Sequence, residues 1–388
     1  MANKDGHRRF GSIRKLPSGR FQIRYPGPDG QLRTGQTTYA TKGDADRALT
    51  LIEAQIISGE WTDPERGKVL LGDYARTWIS ERPGLRPKTL EGYTWLLNRH
   101  IVPHLGRVAV GKLTTPMIRS WRADLLAKGI SVSTAAKAYR LLRAVLMTAA
   151  DEDKLIARNP CRIKGADNEH TPERPILTLA QVFELADRMA DRRFKALILL
   201  TTFASLRWGE VIALRRGSLD LAARTVSVRE QLLELDGGTM QLGPPKSRAG
   251  RRTIAIPSVI IPVLTEHLAT YVDEPDDAFV FLGKRGAFLR GGNFRREAKW
   301  AEALKEMGLQ GLHFHDLRHT GNTLAAQSGA SIADLKARMG HDSDRAALIY
   351  QHATRDADQK IADALSTRVK AERKKAKKKR TKRDGAGG

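Results

Sequence analysis

The stretch LHFHDLRHT, residues 312–320, holds His313, His315, His319 and Arg318. His315 and His319 stand four apart, a spacing that could put two metal ligands on one helical face. His315 and Arg318 stand three apart, again close to one face, but suited to an anion such as phosphate. Two features weigh against the metal. HDLRH lacks the glutamate of H-E-x-x-H, and Arg318 would lie between the two ligands and repel a cation. Cys161 is the only cysteine, which excludes a disulfide framework and any cysteine-based zinc site.

Phosphate chemistry gains from residues elsewhere in the chain. ASLRWGEVIALRR places Arg207 just before an apolar helical run, with Glu210 three residues later to hold or neutralise it. PPKSRAGRR puts Lys246 on or beside a turn between strands. MGH presents His341 after Gly340 at a helix end, and LIYQH presents Tyr350 nine residues further on. Each alone is weak. A tyrosine after Leu-Ile is ordinarily core, and an arginine near a helix start is ordinarily a surface ion pair worth about 0–1 kcal/mol. The ordered set is specific. SLRWGE, the KS of PPKS, HDLRHT, MGH and IYQH together resemble the tyrosine recombinase family, the phage-type integrases, over about residues 177–365. TLEGYTWLLNRHIVPHLG is similar to that family's core-site-binding domain, and the first sixty residues are more loosely similar to its arm-type DNA-binding domain. The departures are Ser205 where glycine is usual, Met339 for leucine before Gly-His, and Ala346 and Ala347 where threonines often stand.

The resemblance implies a DNA strand-exchange enzyme with Arg207, Lys246, His315, Arg318, His341 and Tyr350 as its catalytic set. Guanidinium groups suit the non-bridging oxygens of a phosphodiester, where charge builds during attack. Tyr350 would attack phosphorus and form a 3′-phosphotyrosyl intermediate, with His315 as base and Lys246 as acid for the leaving 5′ oxygen. No metal or cofactor is required. The implied partners are double-stranded DNA with core and arm-type attachment sites, a homotetramer on DNA, and, where needed, an excision factor and a DNA-bending host protein. A nicking-closing enzyme of the type IB topoisomerase kind and a non-enzymatic DNA-binding regulator remain as alternatives.

The composition fits a polyanionic partner. The net charge is +24 and the sequence pI about 10.3. Residues 368–383 carry eleven Lys or Arg against Glu372 alone, and removing that net +10 still leaves +14. The polar start MANKDGHRRF offers no apolar signal segment, and no apolar run reaches the ~20 residues of a membrane span. The expected location is therefore cytoplasmic, with the nucleoid of a bacterial host.

The elements that must position these residues read as a multidomain α+β chain. Residues 1–64 predict an arm-type domain, a three-stranded sheet plus a helix over 44–57, with turns at PSGR and PGPDG. Arg14, Arg24 and Arg33 lie on or beside its strands as candidate DNA contacts. Residues 68–163 predict an all-α core-binding domain, with Thr89 and Ser131 or Ser133 as helix caps. Residues 164–176 are read as a linker and 177–367 as a mainly α catalytic domain with a small antiparallel sheet. Residues 368–388 form a basic tail.

Overall fold

A computed structural model describes residues 9–59, 61–63, 65–169, 174–340 and 366. The chain divides into two compact units, Met1–Pro172 and Glu173–Gly388.

The first unit begins with the antiparallel sheet β1 (Ser12–Lys15), β2 (Phe21–Pro26) and β3 (Leu32–Tyr39), in the order β1-β2-β3. Helix α1 (Lys42–Ile57) follows, and the Thr41 hydroxyl accepts from the Asp44 N–H at 3.1 Å to cap it. Strand alternation sends Ile23 and Tyr25 to the face covered by Ala45 and Leu49 of α1. The register shifts between Gln22 and Arg24, and Gly35 lies across from the shift. A Cβ at Gly35 would come within 2.3 Å of the Ile23 side chain, so no larger residue fits there.

Helices α2 (Leu71–Glu81), α3 (Pro87–Leu96), α4 (Val102–Leu105), α5 (Thr115–Ala127) and α6 (Val132–Asp151) form the rest of this unit. They close on Leu71, Trp78, Ile118, Trp121 and Tyr139. Between α3 and α4 the chain makes a π turn, Leu97–Ile101, two residues before Pro103. Proline lacks the N–H and crowds the carbonyl four residues back, so the wider turn accommodates it. Ser131 caps α6 as expected, accepting from the Thr134 N–H at 3.2 Å. Thr89 is not a cap: Pro87 occupies the first turn of α3 and makes Arg86 the N-cap.

The linker starts later than its composition suggests. Cys161 and Ala166 are buried in the helical core, the Tyr139 hydroxyl accepts from the Ile163 N–H at 2.9 Å, and Glu169 pairs with Arg140 and Lys137. Residues 159–169 therefore belong to the helical layer.

The second unit is built around α8 (Arg193–Phe203), whose residues 196–202 are all buried. Helix α7 (Leu179–Asp187) packs on it behind a capping box of Thr178 and Gln181. The one-turn helix α9 (Trp208–Val211) comes next. It leads into the sheet β4 (Leu219–Asp220), β5 (Thr225–Val228) and β8 (Arg252–Ala255), ordered β4-β5-β8, and a separate hairpin, β6 (Gln231–Glu234) with β7 (Met240–Gly243). The run RTVSVREQLLEL, strand-like throughout, thus serves two sheets. Its first half pairs with β8 and its second half with β7. Helices α10 (Ile261–Tyr271), α11 (Gly291–Glu297), α12 (Trp300–Glu306), α13 (Phe314–Gln327) and α14 (Ile332–Met339) complete the described part. No helix among the described residues is long and apolar enough to cross a membrane.

Candidate active site

Arg207, His315 and Arg318 come together in the second unit, and Glu210 is the group that gathers the arginines. It lies in α9, 1% exposed, and Arg207 at the N-cap donates to it twice: Nη1 to Oε1 at 2.7 Å and the backbone N–H to Oε2 at 2.9 Å. From α13, Arg318 reaches the same carboxylate at 3.9 Å. Arg252 on β8 forks onto it at 2.9 and 3.2 Å. Burial by itself would raise the Glu210 carboxyl. The hydrogen bonds and charge of Arg252, with the charge of Arg207, reverse that and hold it down at about 2. One carboxylate thus faces three guanidinium groups, an excess of positive charge suited to an arriving anion.

The two turns that carry Arg207 and His315 are fastened by aromatic rings. Trp208 follows Arg207, Phe314 precedes His315, and their rings meet edge to face with centroids 4.8 Å apart, both against Phe294. Helix α13 starts at a backbone bond from the His313 N–H to the buried Asp316 at 2.7 Å. His315 and Arg318 then lie one turn apart. Protein around the His315 ring, still open to solvent on one side, pushes its pKa down to about 4, and the nearby His319 and Arg318 act in the same direction. The imidazole is therefore neutral at pH 7, the form in which it can accept a proton. His315 and His319 pack as an edge-to-face pair at 4.9 Å. Among the described residues no three His, Cys, Asp or Glu converge on a metal position.

Arg318 is 2% exposed and donates to the Ser205 carbonyl and, at 2.6 Å, to the Met339 carbonyl. Arg252 Nε donates to the Arg338 carbonyl at 2.8 Å, and Arg207 Nη2 reaches the Gly340 carbonyl at 3.5 Å. Three successive carbonyls at the C-terminus of α14 are thus capped by three arginines, where the helix dipole favours cations. Gly340 ends the helix at φ +62°, and a Cβ there would lie 2.7 Å from the Ala249 carbonyl oxygen. His341 and Tyr350 follow Gly340 in sequence and lie outside the described residues. Lys246 is exposed in the connection between β7 and β8.

Ser205, where the resemblance leads one to expect glycine, has φ +52°, and its hydroxyl is buried without a hydrogen-bond partner. Both features cost stability. Ser205→Gly should raise stability by about 1 kcal/mol, read as an upward shift in the thermal unfolding of the catalytic unit.

The N-terminal trio is split. Arg14 pairs with Gln22 and Arg24 with Thr34, which puts both on the exposed face of the sheet. Arg33 pairs with Tyr25 on the opposite face, forms ion pairs of 2.6 Å with Asp29 and with Asp63, and stacks on Trp61 at 4.9 Å. It serves the domain's own structure. Arg252 is the site residue that sequence reading missed. A signal was present: it stands two residues before the buried Ile254 on β8, so alternation turns it inward, and a buried arginine needs a carboxylate.

The chain matches the Phage integrase family over residues 175–356, the phage integrase central domain over 71–166 and the phage integrase N-terminal domain over 9–58. It is 35% identical to the integrase of Mycobacterium phage L5 (94% of this chain, 99% of the relative). Identity to the integrase of Mycobacterium phage FRAT1 is 32%, covering 83% and 98%. Among solved structures, the Tn1549 transposon integrase in complex with a circular intermediate DNA superposes with a TM-score of 0.67 at 22% identity, covering 76% of this chain and 99% of that one. The lambda integrase tetramer bound to a Holliday junction gives 0.55 at 16% identity, covering 89% and 96%. With a relative at this identity along nearly its whole length, the chain belongs to the phage integrase family and is a tyrosine site-specific recombinase.

Proposed function

We infer that the chain integrates or excises a phage or mobile element by cutting and rejoining double-stranded DNA through Tyr350. The observation that carries this reading is the convergence of Arg207 and Arg318 on Glu210, with a neutral His315 one turn from Arg318. Arg207 and Arg318 neutralise the non-bridging oxygens of the scissile phosphate, and His341 adds a donor. The Tyr350 oxygen attacks phosphorus and passes its proton to His315. The bond from phosphorus to the 5′ oxygen breaks, and Lys246 protonates that oxygen. A second strand's 5′ hydroxyl then reverses the step, which conserves the bond energy without ATP. Exchange between two duplexes calls for four protomers, the number in the lambda integrase tetramer on its Holliday junction.

The test is covalent trapping. A nicked core-site duplex should leave a denaturant-resistant adduct, and that adduct should form undiminished in excess chelator, because arginine and lysine supply the charge a metal would bring. An adduct that disappears with chelator and returns with zinc or magnesium would reinstate the histidine pair as ligands. A joint product from two duplexes separates this reading from a nicking-closing enzyme.

The proposed arm contacts give a second test. Arg14→Ala with Arg24→Ala should weaken DNA binding by the N-terminal domain. The slope of log K against log salt should fall by ~0.9 for each phosphate the variant no longer neutralises. Arg33→Ala should instead lower that domain's melting temperature with no slope change specific to arm DNA.

A further inference from the structure

We propose that Arg252 is a positioning residue for strand cleavage: its one guanidinium joins Glu210, which sets Arg207 and Arg318, to the end of the helix that leads into His341. This rests on the Tyr350 reaction proposed above and adds a residue outside its catalytic set. The geometry is specific. The side chain is 6% exposed and its guanidinium reaches four oxygens of three residues, Glu210, Gly250 and Arg338. Nη2 and Nη1 fork onto the Glu210 oxygens at 2.9 and 3.2 Å, Nε donates to the Arg338 carbonyl at 2.8 Å, and Nη1 donates to the Gly250 carbonyl at 3.0 Å. Neither Arg207 nor Arg318 can replace it. Arg207 holds Glu210 from the same turn, and Arg318 stands 3.9 Å away on α13 with Nη1 and Nη2 donating to the Ser205 and Met339 carbonyls.

Buried as it is, Arg252 is set back from solvent, where DNA arrives, so it acts through its neighbours. A lysine there would keep the charge beside Glu210 but could not fork onto the carboxylate and reach the Arg338 carbonyl at once. Without any cation, Glu210 would keep only Arg207 close, and the two clamp arginines would lose their common reference point. Displacements of that kind act on the reacting geometry while leaving the large DNA-binding surface intact.

The experiment uses the full chain and a nicked duplex carrying its footprinted core site. Arg252→Met should reduce the single-turnover rate of adduct formation at saturating DNA by about 10²-fold, with the binding constant for the same duplex within about twofold of wild type. Arg252→Lys, which restores the charge beside Glu210 but not the joint hold on the Arg338 carbonyl, should recover only part of the rate. Combined with Glu210→Gln, Arg252→Met should cost far less than the product of the two single losses, because both act on one unit. A folded Arg252→Met protein that cleaves at the wild-type rate would overturn the role. So would losses that multiply independently, or a lysine variant no faster than the methionine one. If Arg252→Met does not fold, the same cycle is run with Arg252→Lys: a smaller loss, confined to cleavage and coupled to Glu210, upholds the role, and an uncoupled loss overturns it. Failure of the Tyr350 reaction would look different, since the wild-type chain itself would then form no adduct.

Discussion

Tyr350→Phe is expected to abolish the covalent DNA adduct while leaving core-site binding nearly unchanged. The substitution removes one oxygen, the attacking one, and keeps the ring. Losing a nucleophile costs on the order of 10⁵-fold or more in rate, so no adduct should be visible on a denaturing gel even after long incubation. Binding is carried by many phosphate contacts from a chain of net charge +24 and should not depend on one hydroxyl. Recombination should disappear together with the adduct. If the phenylalanine variant still attaches to DNA, another side chain is the nucleophile, and the nine-residue spacing from His341 has no catalytic meaning.

Lys246→Ala carries the second large effect. A departing 5′ oxygen needs a proton, and removing a general acid forfeits about 10²–10⁴ in rate. A duplex with sulfur at the 5′ bridging position separates acid catalysis from binding, because a thiolate leaves without a proton. The alanine variant should cut that duplex at close to the wild-type rate and ordinary DNA slowly. Lys246 is exposed on the connection from β7 to β8, which suits a group that must meet the substrate. Equal slowing on both duplexes would assign it to binding.

The convergence of Arg207, His315 and Arg318 was legible because its pieces are local. Arg207 and Glu210 are three apart, His315 and Arg318 are three apart, and each pair shares one helical turn. The helices followed from apolar residues at three and four, with Ser131 as the cap of one of them. What could not be read depends on distant partners. Residues 164–169 look like linker by their polar composition, yet Arg122 holds the Ala166 carbonyl against the helical core and Glu169 pairs with Lys137 and Arg140. Strand β7, Met240–Gly243, has no β-branched residue and exists because β6 pairs with it. Arg33 resembled its neighbours Arg14 and Arg24 until register put it on the other face, beside Asp63, thirty residues away in sequence. Arg252 was hidden for the same reason: its partner Glu210 lies on another element.

The capping of α14 by arginines has an evolutionary consequence. Arg252, Arg318 and Arg207 grip main-chain oxygens at positions 338, 339 and 340. Every residue type presents the same carbonyl, so the grip imposes little on side-chain identity there. Met339, standing where leucine is common, illustrates that freedom. Its side chain answers to a different neighbourhood, the small apolar cluster with Leu335, Ala325 and Ala326, in which methionine and leucine exchange at nearly constant volume. Position 340 does not share that latitude, because its left-handed backbone and the nearby Ala249 carbonyl admit only glycine. Sequence drift along this helix end is therefore free at 339 within apolar residues of that size and closed at 340, and the arginines keep their hold through either history.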